Sequence, residues 1–178
     1  MMKISTLSLG TVAAATIIAT FGMGAAAAAP DYATLPVDPN VITDSTAYTA
    51  KPAVLDPDGQ QGVQQEFDHR DGTRGITTTI RILSSPQDAA GALDAMRADL
   101  APIVIGPASQ PVAVGTGGTM MTGKSPDGSQ SVGVLLFTQG NAAVEVQFDG
   151  PANDPVPVDL ATQYGQDQVS AINRELGA

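Results

Sequence analysis

His69 is the single histidine in the chain, and it stands between Asp68 and Asp71. An imidazole beside carboxylates can serve as a general base or as a metal ligand. A base also needs a nucleophile and an orienting acid, brought together by the fold. A metal site needs several ligands, and with no cysteine only carboxylates could join the ring. The sequence therefore raises a hydrolase centred on His69 as an alternative, while its simplest reading is a turn histidine in solvent. No catalytic residue and no metal ligand is assigned.

Gly118-Thr-Met-Met-Thr-Gly123-Lys124-Ser125 matches the string of a phosphate-binding loop. That loop works only when a helix begins at the lysine and turns its free N–H groups toward phosphate. Here Pro126, Asp127 and Gly128 follow at once, which specifies a tight turn, so nucleotide binding is rejected. Asp56, Asp58, Asp71, Asp127, Asp149 and Asp154 punctuate loops without the alternating oxygen ligands of a calcium site. No Gly-x-Ser-x-Gly element is present. No cofactor is expected.

Composition narrows the partners. The 178 residues carry a formal net charge of -10, becoming about -11 once Lys3 is removed, and such a surface repels phosphate backbones and anionic lipid heads. Nucleic acid is therefore not an expected partner. Lys3 followed by an uncharged apolar stretch and the small-residue run Gly24–Ala29 has the layout of a cleaved secretory signal peptide over residues 1–29. Cleavage predicts a secreted or extracytoplasmic, cell-envelope protein without a stable membrane anchor. What remains is roughly 148 residues, the size of one domain. Residues 30–62, rich in Pro, Gly and Asp, read as an extended lead-in that wraps the domain or stays mobile. A single domain is expected over 63–178.

The elements that must position any site follow from periodicity. Val63–Asp68 and Ile76–Ile82 alternate at period 2 around an Asp71-Gly72 turn and predict a β-hairpin. Ser85 as cap, Pro86 at the first helical position and Asp88 three after the cap predict a helix to about Leu100. Its apolar stripe is Ala89, Leu93, Met96 and Leu100, and Gly91 suggests close packing on a sheet. Short apolar pieces at 103–105 and 111–114 are read as strands. Val132–Phe137 is apolar on both faces and predicts a central strand, and Asn141–Phe148 alternates beside it. Asp159 is the expected cap of a last helix running to Leu176. The order β-β-α-β-β-β-β-α predicts an α+β fold, a mostly antiparallel sheet packed by two helices.

If helices cover one sheet face, the other is free for a partner protein or a small apolar ligand. The residues expected on that face are Thr77, Thr79, Arg81, Met120, Met121 and Phe137, with core packing as the competing role for the methionines.

The Ala-rich leader, the Pro-rich lead-in, the helix after Ser85-Pro86, the paired late strands and the segment Asp154-Pro-Val-Pro157…Gly165-Gln-Asp-Gln168…Ile172 resemble small exported proteins of mycobacteria and their relatives. Some of these are similar to the PsbP/Mog1-type α/β/α sandwich, which lipoproteins of that group also carry. The resemblance spans about residues 35 to 178. It implies a binding, accessory or envelope-associated role and helices on both sides of the sheet, and it supplies no catalytic residues. The lipoprotein cysteine is missing, so lipid anchoring does not carry over. The leading expectation is a secreted, non-enzymatic binding or accessory protein. A structural or antigen-like envelope protein without a ligand is the further alternative.

Overall fold

The computed structural model of the protein describes residues 30–43 and 45–177. The expected signal segment lies outside the described residues. Alternating apolar residues close one antiparallel sheet of eight strands: β1 (Tyr48–Ala50), β2 (Val54–Leu55), β3 (Gly62–His69), β4 (Gly75–Ile82), β5 (Ile105–Pro111), β6 (Thr116–Lys124), β7 (Gln130–Gln139) and β8 (Ala142–Pro151). The order is β1-β3-β4-β8-β7-β6-β5, with β2 also on β3. Among the described residues three α-helices accompany it: α1 (Pro39–Thr43), α2 (Pro86–Asp99) and α3 (Val158–Leu176). The fold is α+β, as expected, with one short helix more than the sequence indicated. No helix among the described residues is long and apolar enough to cross a membrane.

Period-2 alternation divides the sheet into two apolar faces, and each receives a helix. Val63, Phe67, Ile76, Ile80, Val144, Val146, Leu135, Phe137 and Met120 pack with Ala161, Tyr164 and Ile172 of α3. Val132, Val134, Leu136, Ala143 and Met121 pack with Ala89, Leu93, Met96 and Leu100 of α2. β7 lies next to the central β8 and is buried on both sides along most of its length. Each fully buried Leu or Phe on these faces contributes about 1.5–3 kcal/mol. The layers are thus helix, sheet, helix, and no whole sheet face is left open.

Local chemistry sets the helix ends. The Ser85 hydroxyl accepts from the Asp88 N–H at 3.1 Å and donates to the Asp88 carboxylate at 2.8 Å. At α3 the expected cap is corrected. Pro157 occupies the cap position without a side-chain bond, and Asp159 lies in the first turn, where its charge suits the helix dipole. Gly91 is also corrected: a Cβ added there would meet nothing within 4 Å, so no close packing requires the glycine. The glycine that admits close packing is Gly165, where a Cβ would sit 2.6 Å from Leu135 Cδ2 and 2.7 Å from Val114 Cγ1.

Two strands depart from expectation. The apolar triplet at 103–105 and the run at 111–114 mostly flank strands: Val104 and Val114 are core plugs, each 2 % exposed. The strands themselves are β5, exposed throughout, and the Gly/Thr-rich β6. β5 is the sheet edge, which explains its lack of an apolar pattern. Pro107, Pro111 and a register shift between Ile105 and Ala108 make it a poor template for pairing. The phosphate-loop string lies along β6 and enters a turn in which Asp127 accepts from Ser125 and Ser129.

The lead-in wraps the domain. Leu35 is fully buried, and residues 48–55 add two short strands to the edge of β3. Gln168, fully buried on α3, acts as a clamp: its Oε1 accepts from the Val37 N–H at 3.0 Å and its Nε2 donates to the Leu35 carbonyl at 2.7 Å. The Tyr164 hydroxyl donates to the Val37 carbonyl at 2.7 Å and lies 3.1 Å from Thr78 Oγ1. A phenol has one proton, so Thr78 is the donor of that second bond. Burial pushes the Tyr164 hydroxyl far above its ordinary titration range, so it stays protonated and donating.

Candidate functional site

Four neighbouring strands end in a row at one end of the α3 face. Tyr48 is opposite His69 in the β1–β3 register. The His69 N–H donates to the Arg74 carbonyl at 3.0 Å across the hairpin turn. Gly75 is opposite Asp149, which sets Arg74 beside Gly150. Counting by two from Phe67, Ile76 and Phe148 places His69, Arg74 and Gly150 on the α3 side. The row therefore runs phenol, imidazole, guanidinium and no side chain. A Cβ at Gly150 would lie 3.2 Å from Arg74 Nη1, so the glycine makes room for the guanidinium to lie across β8.

These residues border a cleft of about 490 Å³. Its floor is Ile76, Phe148 and Tyr164, the rings of Phe148 and Tyr164 meeting edge to face at 5.6 Å. One wall is the lead-in, with Pro39, Ile42, Ser45, Ala47 and Tyr48; the other is Asp154, Val156, Pro157 and Leu160. Arg74 holds that second wall through an ion pair with the Asp154 carboxylate and a longer bond to its carbonyl. Both partners are solvent-exposed in part, and pairs of this kind contribute about 0–1 kcal/mol. The Asp154 contact is a loose fastening.

The His69 ring is fixed from two sides. Its Nδ1 lies 2.6 Å from Asp71 Oδ1, and Tyr48 meets it edge-on at 5.1 Å between centroids. Hydrogen bonds from the Thr73 N–H and hydroxyl, helped by His69, hold the Asp71 carboxyl down at about 2. Burial raises the Tyr48 phenol, with nearby Arg74 acting in the opposite sense and Asp71 adding to the rise. The hydrolase alternative asked for His69 in a cleft beside a carboxylate and a hydroxyl. The cleft and the carboxylate are present; the tyrosine that touches the imidazole does so through its ring, and Ser45 belongs to the same cleft lining. Among the described residues no group of three or more His, Cys, Asp or Glu is placed to hold a metal ion.

The six residues expected on one free face are not brought together, and that grouping is corrected. Met120 and Phe137 are 1 % and 0 % exposed in the core under α3, and Met121 is buried under α2. Strand alternation separates adjacent Met120 and Met121 onto opposite faces. Thr77, Thr79 and Arg81 do share a sheet face, the part of the α2 side beyond that helix, with Thr79 itself buried. It carries amides and charges rather than apolar groups: Gln64 donates to Thr79 Oγ1 at 3.2 Å, and Glu66 is opposite Thr77. Glu145 on the same side is pushed up by burial, with Arg81 lowering it and Asp99 raising it further. The sequence indicates a turn histidine in solvent for His69 and no role for Arg74; strand alternation from Phe67 and Ile76 instead sets both on the cleft side. Tyr48 and Gly150 had no such signal, because their place depends on strand register.

No protein-family model matches the chain, and no curated protein does either. The chain is similar in fold to a solved structure, described as the extracellular domain of PknH from Mycobacterium tuberculosis, with a TM-score of 0.55 and 10 % sequence identity. That similarity covers 79 % of this chain and 94 % of the other. At this identity it establishes a shared fold.

Proposed function

We propose that this protein is an extracytoplasmic, non-enzymatic binding domain that holds a small, mostly apolar molecule in the cleft between the lead-in and the start of α3. The carrying observation is the cleft itself. Its volume, about 490 Å³, lies inside the roughly 300–1,000 Å³ typical of small-molecule sites. An apolar floor with a few polar groups at one end is the usual composition of such a site. The signal-like N-terminus and the fold-level likeness to an extracellular domain support the location.

The test is native mass spectrometry on protein recovered from its own host, paired with a denaturing measurement. The expected result is an added mass that denaturation removes. Ala47 lines the cleft, so Ala47→Trp should fill it and abolish the added mass. A bound mass that survives this substitution would place the ligand elsewhere, and a clean protein mass in both forms would count against tight carriage.

A further inference from the structure

The cleft lining is mostly apolar, and the end where Tyr48 and Arg74 stand carries hydrogen-bond donors beside the Asp154 carboxylate. We infer that it takes a single amphiphile with an oxyanion head, the head meeting Arg74 and Tyr48 and the apolar body lying on Ile76, Phe148 and Leu160. This rests on the binding reading above and adds the chemistry of the ligand.

The donors are countable. A guanidinium has five N–H groups, and the contacts to Asp154 use Nη1 and Nη2. The remaining donors, Nε among them, can meet a second oxyanion without displacing the first. The Tyr48 ring is fixed edge-on against His69, and the bonds between Tyr48 and Asn40 run through the tyrosine backbone. Among the described residues its hydroxyl has no acceptor and remains to donate, and its titration responds to Arg74, which places the two groups within electrostatic reach. His69, anchored by Asp71, is a positioning residue for that phenol.

Among the described residues the acidic groups nearby are engaged, Asp38 accepting from the Asn40 N–H at 2.9 Å. Asp71 pairs with His69 and Asp154 with Arg74. The Asp149 carboxylate accepts from Gln147 Nε2 at 2.9 and 3.0 Å, and alternation puts both on the opposite sheet face from Phe148. Among the described residues the carboxylates at this corner are already paired, so an ammonium head gains less here than an oxyanion, and a neutral head gives the remaining Arg74 donors a weaker acceptor.

Decanoate, decanol and decylamine, each titrated below its micellar concentration, separate the possibilities. The expected result is decanoate binding at least about tenfold tighter than decanol, the size of one good charged hydrogen bond. Tyr48→Phe, which keeps the ring packing on His69, should reduce the decanoate preference about threefold or more and leave decanol unchanged. Arg74→Met should remove the preference altogether. Equal affinity for decanoate and decanol, or tighter binding of decylamine, overturns the oxyanion inference while leaving the cleft in place. If none of the three binds, the cleft reading falls and the inference falls with it. Decyl phosphate as a fourth arm distinguishes a dianionic head from a carboxylate.

Discussion

Gln168→Leu is expected to destabilise the protein by about 2–6 kcal/mol, because it leaves one buried and one part-buried backbone group without partners at about 1–3 kcal/mol each. The side chain is fully buried and serves the lead-in as a surrogate strand, giving the Leu35 carbonyl a donor and the Val37 N–H an acceptor. Leucine fits the volume but can do neither. Chemical denaturation reads the loss, and exposed Gln163→Leu on the same helix is the control, expected within about 0.5 kcal/mol. Amide exchange locates it: the Val37 N–H should lose protection before the central strands do. Because Pro39, Ile42, Ser45, Ala47 and Tyr48 wall the cleft, ligand affinity should fall together with lead-in protection. A loss below about 1 kcal/mol would mean that the lead-in is held by the burial of Leu35 and not by the glutamine.

Phe137→Ala is expected to cost about 3–5 kcal/mol, and Met120→Ala about 2–5 kcal/mol, the range for truncating large side chains in a packed core. Both are essentially unexposed and pack under α3 against Ile172 and its neighbours. Their truncation leaves a cavity that the flanking strands, held on both sides, cannot collapse. Thr77→Ala, on the polar outer part of the α2 face, should fall within about 0.5 kcal/mol. Denaturant midpoints for the three variants decide between core and surface. A Phe137→Ala protein of unchanged stability that had lost ligand binding would return that residue to a binding face.

The elements that were legible in the sequence are those whose burial is periodic. α2 declares itself through Ser85, Pro86 and a stripe at Ala89, Leu93, Met96 and Leu100, all buried. β3, β4, β7 and β8 are equally plain, since their apolar residues alternate or run unbroken. β5 was hidden because an edge strand with every residue exposed has no apolar face to display. The lead-in reads from the sequence as wrapping the domain or staying mobile, and what anchors it was hidden for a different reason. It is tied down by one buried leucine and by side chains 127 to 133 residues away, a kind of anchoring that leaves no period. The cleft is partly legible: the Asp71-Gly72 turn and two alternating strands bring His69 and Arg74 to one face. Tyr48, Gly150 and the floor residue Tyr164 arrive from three other elements, and only register and packing bring them together. The methionines and Phe137 misled because large apolar side chains suit a ligand face and a core equally well, and covering both faces with helices decides for the core.

The most direct test of a ligand-holding cleft is a methyl-labelled NMR titration of the protein with decanoate. Saturable shifts are expected at the methyls of Ile42, Ile76, Val156 and Leu160, which line the cleft, with Leu93, Val134 and Leu136 under α2 unmoved. Shifts centred on the α2 side, or no saturable shifts at all, would contradict it.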